Sequence, residues 1–250
     1  APVGISLETG FVSSVVTRNN ITNVSTTATG GYGGRGIAVG TGTATSSLTI
    51  SNNFISGVNG PSWTSFGNSA SMGIAIGMIG NSTTITTTAG GLNIYFNTVN
   101  MYGNQPNGGY AGASVTAALY VGTGASALDI RNNILVNSQN NPNGSGTGSK
   151  NYAIYSAATN TAFSNINYND YYVSGTQGVL GYISSDRTNL AAIVTGFGQN
   201  ANSVNIAPVF TSPSDLHLNV NNNLSLNDLG VSIGGVTVDY DGATRSATPD

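Results

Sequence analysis

Hydrophobic and polar positions alternate along this chain in short bursts, and the bursts recur. One eight-residue pattern appears five times: a small or aliphatic residue, any residue, Ile or Val, two of any kind, Asn, any residue, then a hydrophobic position. The copies are 14–21 (SVVTRNNI), 48–55 (LTISNNFI), 92–99 (LNIYFNTV), 128–135 (LDIRNNIL) and 164–171 (SNINYNDY). Their asparagines are Asn19, Asn53, Asn97, Asn133 and Asn169, spaced by 34, 44, 36 and 36 residues. Before each Asn the period is two, as in a strand with one buried face. Val16, Ile50, Ile94, Ile130 and Ile166 therefore point into a core. Thr17, Ser51, Tyr95, Arg131 and Asn167 point out.

A second short strand precedes four of the copies: GIAVG (36–40), GIAIG (73–77), ALYVG (118–122) and AIYSA (153–157). The two series keep step, so each period supplies two strands, with a third short stretch expected in the remaining residues. Strands this short cannot bury an apolar face alone, whereas stacked coils bury a continuous column between them. The recurrent Asn falls where the chain turns, and stacked side-chain amides there can bond from coil to coil as a ladder. A propeller blade has a similar period but needs four strands per repeat, which makes it the second choice.

The repeat, over residues 14 to about 173, resembles that of the pectate-lyase-like parallel β-helix proteins. The stretches 208–223 (PVFTSPSDLHLNVNNN) and 238–250 (VDYDGATRSATPD) are similar to the C-terminal section of secreted Bacteroidetes β-helix proteins, which occur as parts of large surface polypeptides. The resemblance implies an all-β, right-handed parallel β-helix. Coils would occupy residues 1–185, and a capping section of the same domain residues 186–250. Within that section 188–194 (TNLAAIV) reads as a short helix, with Asp186 or Thr188 as N-cap, covering the C-terminal end of the solenoid.

Composition narrows the functional classes. Only 6% of the 250 residues are charged, against about a quarter in an average chain, so Asn, Ser, Thr and Gly carry the polar surface. The six basic residues are scattered as Arg18, Arg35, Arg131, Lys150, Arg187 and Arg245. Nucleic-acid binding needs them clustered, and that partner is excluded. Absence of cysteine rules out thiolate chemistry, and no run is long and apolar enough for membrane insertion. The Asn/Gly/Thr-rich, Lys-poor balance points to a secreted or cell-surface protein, flanked by further domains in a larger polypeptide.

Carbohydrate-active enzymes on such a fold need a dense polar cluster, either paired carboxylates or an Asp beside an Arg. The best catalytic candidates are Asp129 and Arg131, on one outer strand face, with Asp170 in the next coil beyond its Asn. A surface ion pair is the simpler reading of Asp129 and Arg131, and no catalytic residue is expected. His217, in DLHL, reads as a surface histidine. Asp239 and Asp241, in VDYDG, read as an Asp-Gly turn, with calcium the one cofactor left open. No metal site is expected.

Three coils carry Gly/Asn/Pro insertions at a constant offset after the motif Asn, around Pro61, Pro106 and Pro142, and these should stack into a ridge. Trp63, Phe66, Tyr102 and Tyr110 lie in them, while Tyr120 and Tyr155 stand in the outward column of the second strand. Aromatic rings beside amides suit a neutral glycan, the rings against C–H groups and the amides toward hydroxyls. The expectation is a non-catalytic structural or adhesive module contacting glycans or other surfaces. A polysaccharide lyase or hydrolase is the alternative, and an ice-binding protein presenting Thr41, Thr43, Thr84 and Thr86 a minor one.

Overall fold

In the computed structural model the chain is a parallel β-helix of three sheets; residues 1–27, 32–61, 66, 70–79, 88–106, 113–142 and 148–249 are described. Sheet A stacks Val3–Leu7, Arg35–Val39, Ser71–Ile76, Val115–Val121, Lys150–Ser156 and Gly178–Ile183, then ends on the antiparallel strand Ser185–Arg187. Sheet B stacks Val15–Thr17, Leu48–Ser51, Ala89–Tyr95, Ala125–Arg131 and Phe163–Asn167. Sheet C stacks Asn20–Thr22, Phe54–Ser56, Thr98–Met101, Ile134–Asn137 and Asp170–Val173. The third strand is thus the end of the Asn motif itself, not a piece of the residues left over.

Register follows the predicted columns. Val16, Ile50, Ile94, Ile130 and Ile166 pair in turn through sheet B, and all but the first are fully buried. Strict alternation fails in sheet A. Ala118 with Leu119, and Ala153 with Ile154, are consecutive residues that both join the central core, while Ala117, Tyr120 and Tyr152 pack on the outside. The local kink needs a small residue: a Cβ on Gly73, the equivalent position one coil earlier, would come within 2.3 Å of the Val99 side chain.

The asparagine ladder forms as predicted. The Nδ2 of Asn19, Asn53, Asn97 and Asn133 each donates to the Oδ1 of the next, at 2.8, 2.8, 3.0 and 2.9 Å. The backbone N–H of each donates to the same oxygen. Each Asn follows a residue in the left-handed region: Arg18, Asn52, Phe96, Asn132 and Tyr168, with φ between 54° and 59°. That conformation costs about 1 kcal/mol or more for residues other than Gly or Asn, and the ladder and tail contacts at these corners offset it.

The helix α1 spans Leu190–Phe197. Its N-cap is Asn189, whose Oδ1 accepts from the Ala192 N–H at 2.9 Å, so the expected caps are corrected. Asp186 lies in a strand, bonded to Lys150 and Tyr152. Ile193 and Phe197 are buried in the central core and close the C-terminal end. The capping role therefore belongs to this helix and the turn after it.

The remaining tail is a strap that returns along the sheet B to sheet C corner. Asn132 exchanges two hydrogen bonds with the Val231 backbone, Asn52 donates to Val238 O, and Arg18 donates to Tyr240 O. The Tyr240 ring stacks on Phe54 at 3.9 Å, and the Arg245 guanidinium lies 3.7 Å from the centre of Phe96. Removing the stacked ring with Tyr240→Ala should weaken strap docking by about 2 kcal/mol. Limited proteolysis should then cut first within residues 205–249, before the coils are touched.

Candidate functional site

Sheet A positions the largest aromatic assembly among the described residues. Tyr120, Tyr155 and Tyr182 occupy one outward column, following Ala38 and Ala75 in the earlier coils. Tyr155 stacks on Tyr182 at 4.3 Å and 6°, and Phe66 lies against its ring at 4.2 Å. Phe66 also stacks on Tyr120 at 5.0 Å, and Tyr152 meets Tyr155 and Tyr182 edge-on. These five rings line a groove of about 460 Å³ with Val115, Lys150 and Asp186.

One wall of the groove is polar. Asp186 is ion-paired with Lys150 through one oxygen and accepts from the Tyr152 hydroxyl at 3.0 Å through the other. Burial raises the Tyr152 pKa, and the Asp186 charge adds to the effect. Burial likewise pushes Tyr155 up to about 12, reinforced by Tyr182. At neutral pH both hydroxyls are protonated, that of Tyr152 donating to Asp186, while Lys150 and Asp186 form an ion pair. The groove thus offers ring surface, hydroxyls and a neutralised charge pair, which is the chemistry of an uncharged, amphipathic ligand.

Of the residues named from the sequence, Phe66, Tyr120 and Tyr155 come together here. Tyr102 does not, since it follows sheet C and lies beside Gly57. Trp63 and Tyr110 lie outside the described residues, as do Thr84 and Thr86; Thr41 is buried. The feet of the Pro-containing loops do stack. Asn59 donates to Asn104 O at 2.9 Å, and Asn140 Nδ2 donates to Asn104 Oδ1 at 3.3 Å. Tyr152 and Tyr182 were missed. Strict alternation from Ile154 would put Tyr152 inside, and GVLGYI (178–183) adds a further copy of the second strand beyond the four in the sequence pattern.

Asp129 and Arg131 share an outer face of sheet B as expected, in a closed cluster. Arg131 donates through Nε and Nη2 to the two Asp129 oxygens at 2.7 Å each, and the Tyr95 hydroxyl donates to Oδ2 at 2.8 Å. The hydrogen bond to Asp129 raises the Arg131 pKa. Burial first, then Asp129, lifts Tyr95 to about 12.

Asp170 is on a different face. It belongs to sheet C beneath the strap, beside a cavity of about 40 Å³ walled by Ile134, Val204, Leu218, Leu226 and Leu229. Its Oδ1 accepts from the Ile206 N–H at 2.9 Å, while its buried Oδ2 has no partner among the described residues. Burial pushes its pKa up to about 7. The cavity has room for little more than a water molecule, so this carboxyl does not meet a sugar ring in the closed structure.

The strap also brings Asp241 to the neighbouring pair Asp215 and His217. His217 bonds Asp215 through Nδ1 and Asp241 through Nε2, the latter at 3.0 Å, with the Phe54 and Tyr240 rings edge-on to it. Burial lowers the His217 pKa, but the two carboxylates outweigh it and leave it raised. Asp239 accepts from the Ala243 N–H at 2.8 Å across a turn in which Gly242 has φ 92°. The Asp-Gly turn is as read from the sequence.

No family model, curated protein or solved structure matches the chain. Its class rests on its own geometry, which is that of an all-β parallel β-helix with a buried asparagine ladder.

Proposed function

We propose that this chain is a non-catalytic extracellular module, structural or adhesive, that holds a neutral glycan in the aromatic groove of sheet A. The observation that carries the reading is the gathering of Phe66, Tyr120, Tyr152, Tyr155 and Tyr182 beside the Lys150 and Asp186 pair in one groove. A sugar presents C–H patches and hydroxyls together, and rings bearing protonated hydroxyls answer both. The low charge content and the resemblance to secreted pectate-lyase-like and Bacteroidetes surface proteins support an export setting. The closed cluster of Asp129, Arg131 and Tyr95 supports a role without turnover, because both carboxylate oxygens are already engaged.

The test is retention on immobilised neutral polysaccharides. Tyr155→Ala and Tyr182→Ala, checked for unchanged β-sheet circular dichroism, should each lose about tenfold or more in affinity. Asp129→Ala should leave retention unchanged. Equal retention by folded Tyr155→Ala and Tyr182→Ala variants would remove the groove from consideration.

A further inference from the structure

The strap covers sheet C from outside without entering the core beneath it. No described residue after Phe197 belongs to the central cluster, and Ile233 packs instead on Tyr95 and Phe96. Besides the corner contacts, Asn100 Nδ2 donates to Pro213 O at 3.1 Å. Lifting the strap would therefore leave the coils and their asparagine ladder in place.

Asp170 sits at its root. Val204 still bridges Asp170 as part of the coil, and the Ile206 N–H donates to Asp170 Oδ1. Beyond Ile206 the chain runs back over sheet C, where Leu218, Leu226 and Leu229 close the small cavity beside the carboxyl. Tyr168 is the other titratable group on its walls, and among the described residues no Lys, Arg, Glu or second Asp lines it. An ionised Asp170 would hold Oδ2 there with neither donor nor counter-ion, which an apolar pocket tolerates poorly. The protonated carboxyl fits. Withdrawing the three leucines lets water reach the charged form.

A second proton ties the two runs of the strap together. The Nδ1 and Nε2 of His217 each face a carboxylate oxygen, of Asp215 and Asp241, and only the imidazolium can donate from both nitrogens. Asp239, Tyr240 and Arg245 line the same recess, and Arg18 reaches Tyr240 O from the coil. This clasp closes over Phe54, which lies edge-on to His217 and stacked on Tyr240.

We propose that the strap is a proton-operated latch, closed while Asp170 and His217 are protonated and swinging off sheet C, with the coils intact, when Asp170 ionises. Opening uncovers Phe54, Ile134 and the Asp170 carboxylate together. Both groups hold their protons more tightly in the closed state, so a rise in pH favours opening through each of them.

Amide exchange of the full chain tests this, with the parent and Asp170→Asn compared at one pH at a time. The Val231 N–H, bonded to Asn132 Oδ1, reports the strap; Ile94 and Ile130 report sheet B. At pH 8 Val231 should exchange about a hundredfold or more faster in the parent than in Asp170→Asn, and at pH 4 the two should agree within about threefold. In the parent at pH 8 Val231 should be about tenfold or more less protected than Ile94 and Ile130. His217→Gln should weaken Val231 protection more at pH 4 than at pH 8. Equal Val231 exchange in parent and Asp170→Asn at pH 8 would overturn the proposal. So would one common protection for Val231, Ile94 and Ile130, which is global unfolding, or a His217→Gln effect no larger at pH 4 than at pH 8.

Discussion

Asn97→Ala is expected to lower stability by about 3–5 kcal/mol, seen in urea unfolding as a lower midpoint and on heating as a loss of roughly 10 °C in Tm. The size follows from what one buried side chain satisfies. Asn97 Oδ1 accepts from both the N–H and Nδ2 of Asn53, and its Nδ2 donates to Ile50 O and Asn133 Oδ1. Alanine leaves two donors and a carbonyl without partners where no water reaches them, at about 1–3 kcal/mol for each group. Asn93→Ala, on the outer face of the preceding strand Ala89–Tyr95, should stay within about 0.5 kcal/mol. A cost for Asn97→Ala no larger than that would show that the coils are held by apolar stacking alone.

Stability should also fall as pH rises from about 4 through 7, and Asp170→Asn should abolish most of that slope. Burial pushes the folded carboxyl's pKa up to about 7, against an ordinary 3.8. Between these values the folded state binds more protons than the unfolded state, so raising the pH favours unfolding. That difference corresponds to roughly 4 kcal/mol once the pH exceeds the folded pKa. His217 acts in the same sense, its raised pKa giving stability that is full below about 6.5 and lost as pH climbs through the folded value. At pH 8 Asp170→Asn should be more stable than the parent by roughly 3 kcal/mol; at pH 4 the two should be nearly equal. A parent whose stability rises from pH 5 to 8 would contradict the burial of this carboxyl.

Periodicity carried most of the fold. The Asn spacing located the ladder, and alternation around it assigned the inward Ile column and the outward Tyr95, Arg131 column correctly. What periodicity could not carry were local departures from it. The paired inward residues Ala153 and Ile154 turn Tyr152 outward, and an alternating pattern has no place for such a kink. The third strand was hidden because three or four residues after the Asn are too few to show a period.

The candidate site was half legible for the same reason. Tyr120 and Tyr155 stand in a regular column, whereas the Lys150 and Asp186 pair forms only because the last strand of sheet A folds back antiparallel. The strap was the least legible part. Its contacts link Asn132 to Val231 and His217 to Asp241 through a return path with no repeat of its own, so residues read singly as a surface histidine and a turn prove to be neighbours.

Retention of a neutral glycan and the absence of cleavage can be scored in one assay. Each soluble neutral polysaccharide is incubated with the full chain, with and without calcium, and assayed for co-precipitation and for new chain ends. At least one polysaccharide should be retained, with no increase in its chain ends. New chain ends would make the protein an enzyme, and an absence of retention across the set would leave the aromatic groove without the role assigned to it.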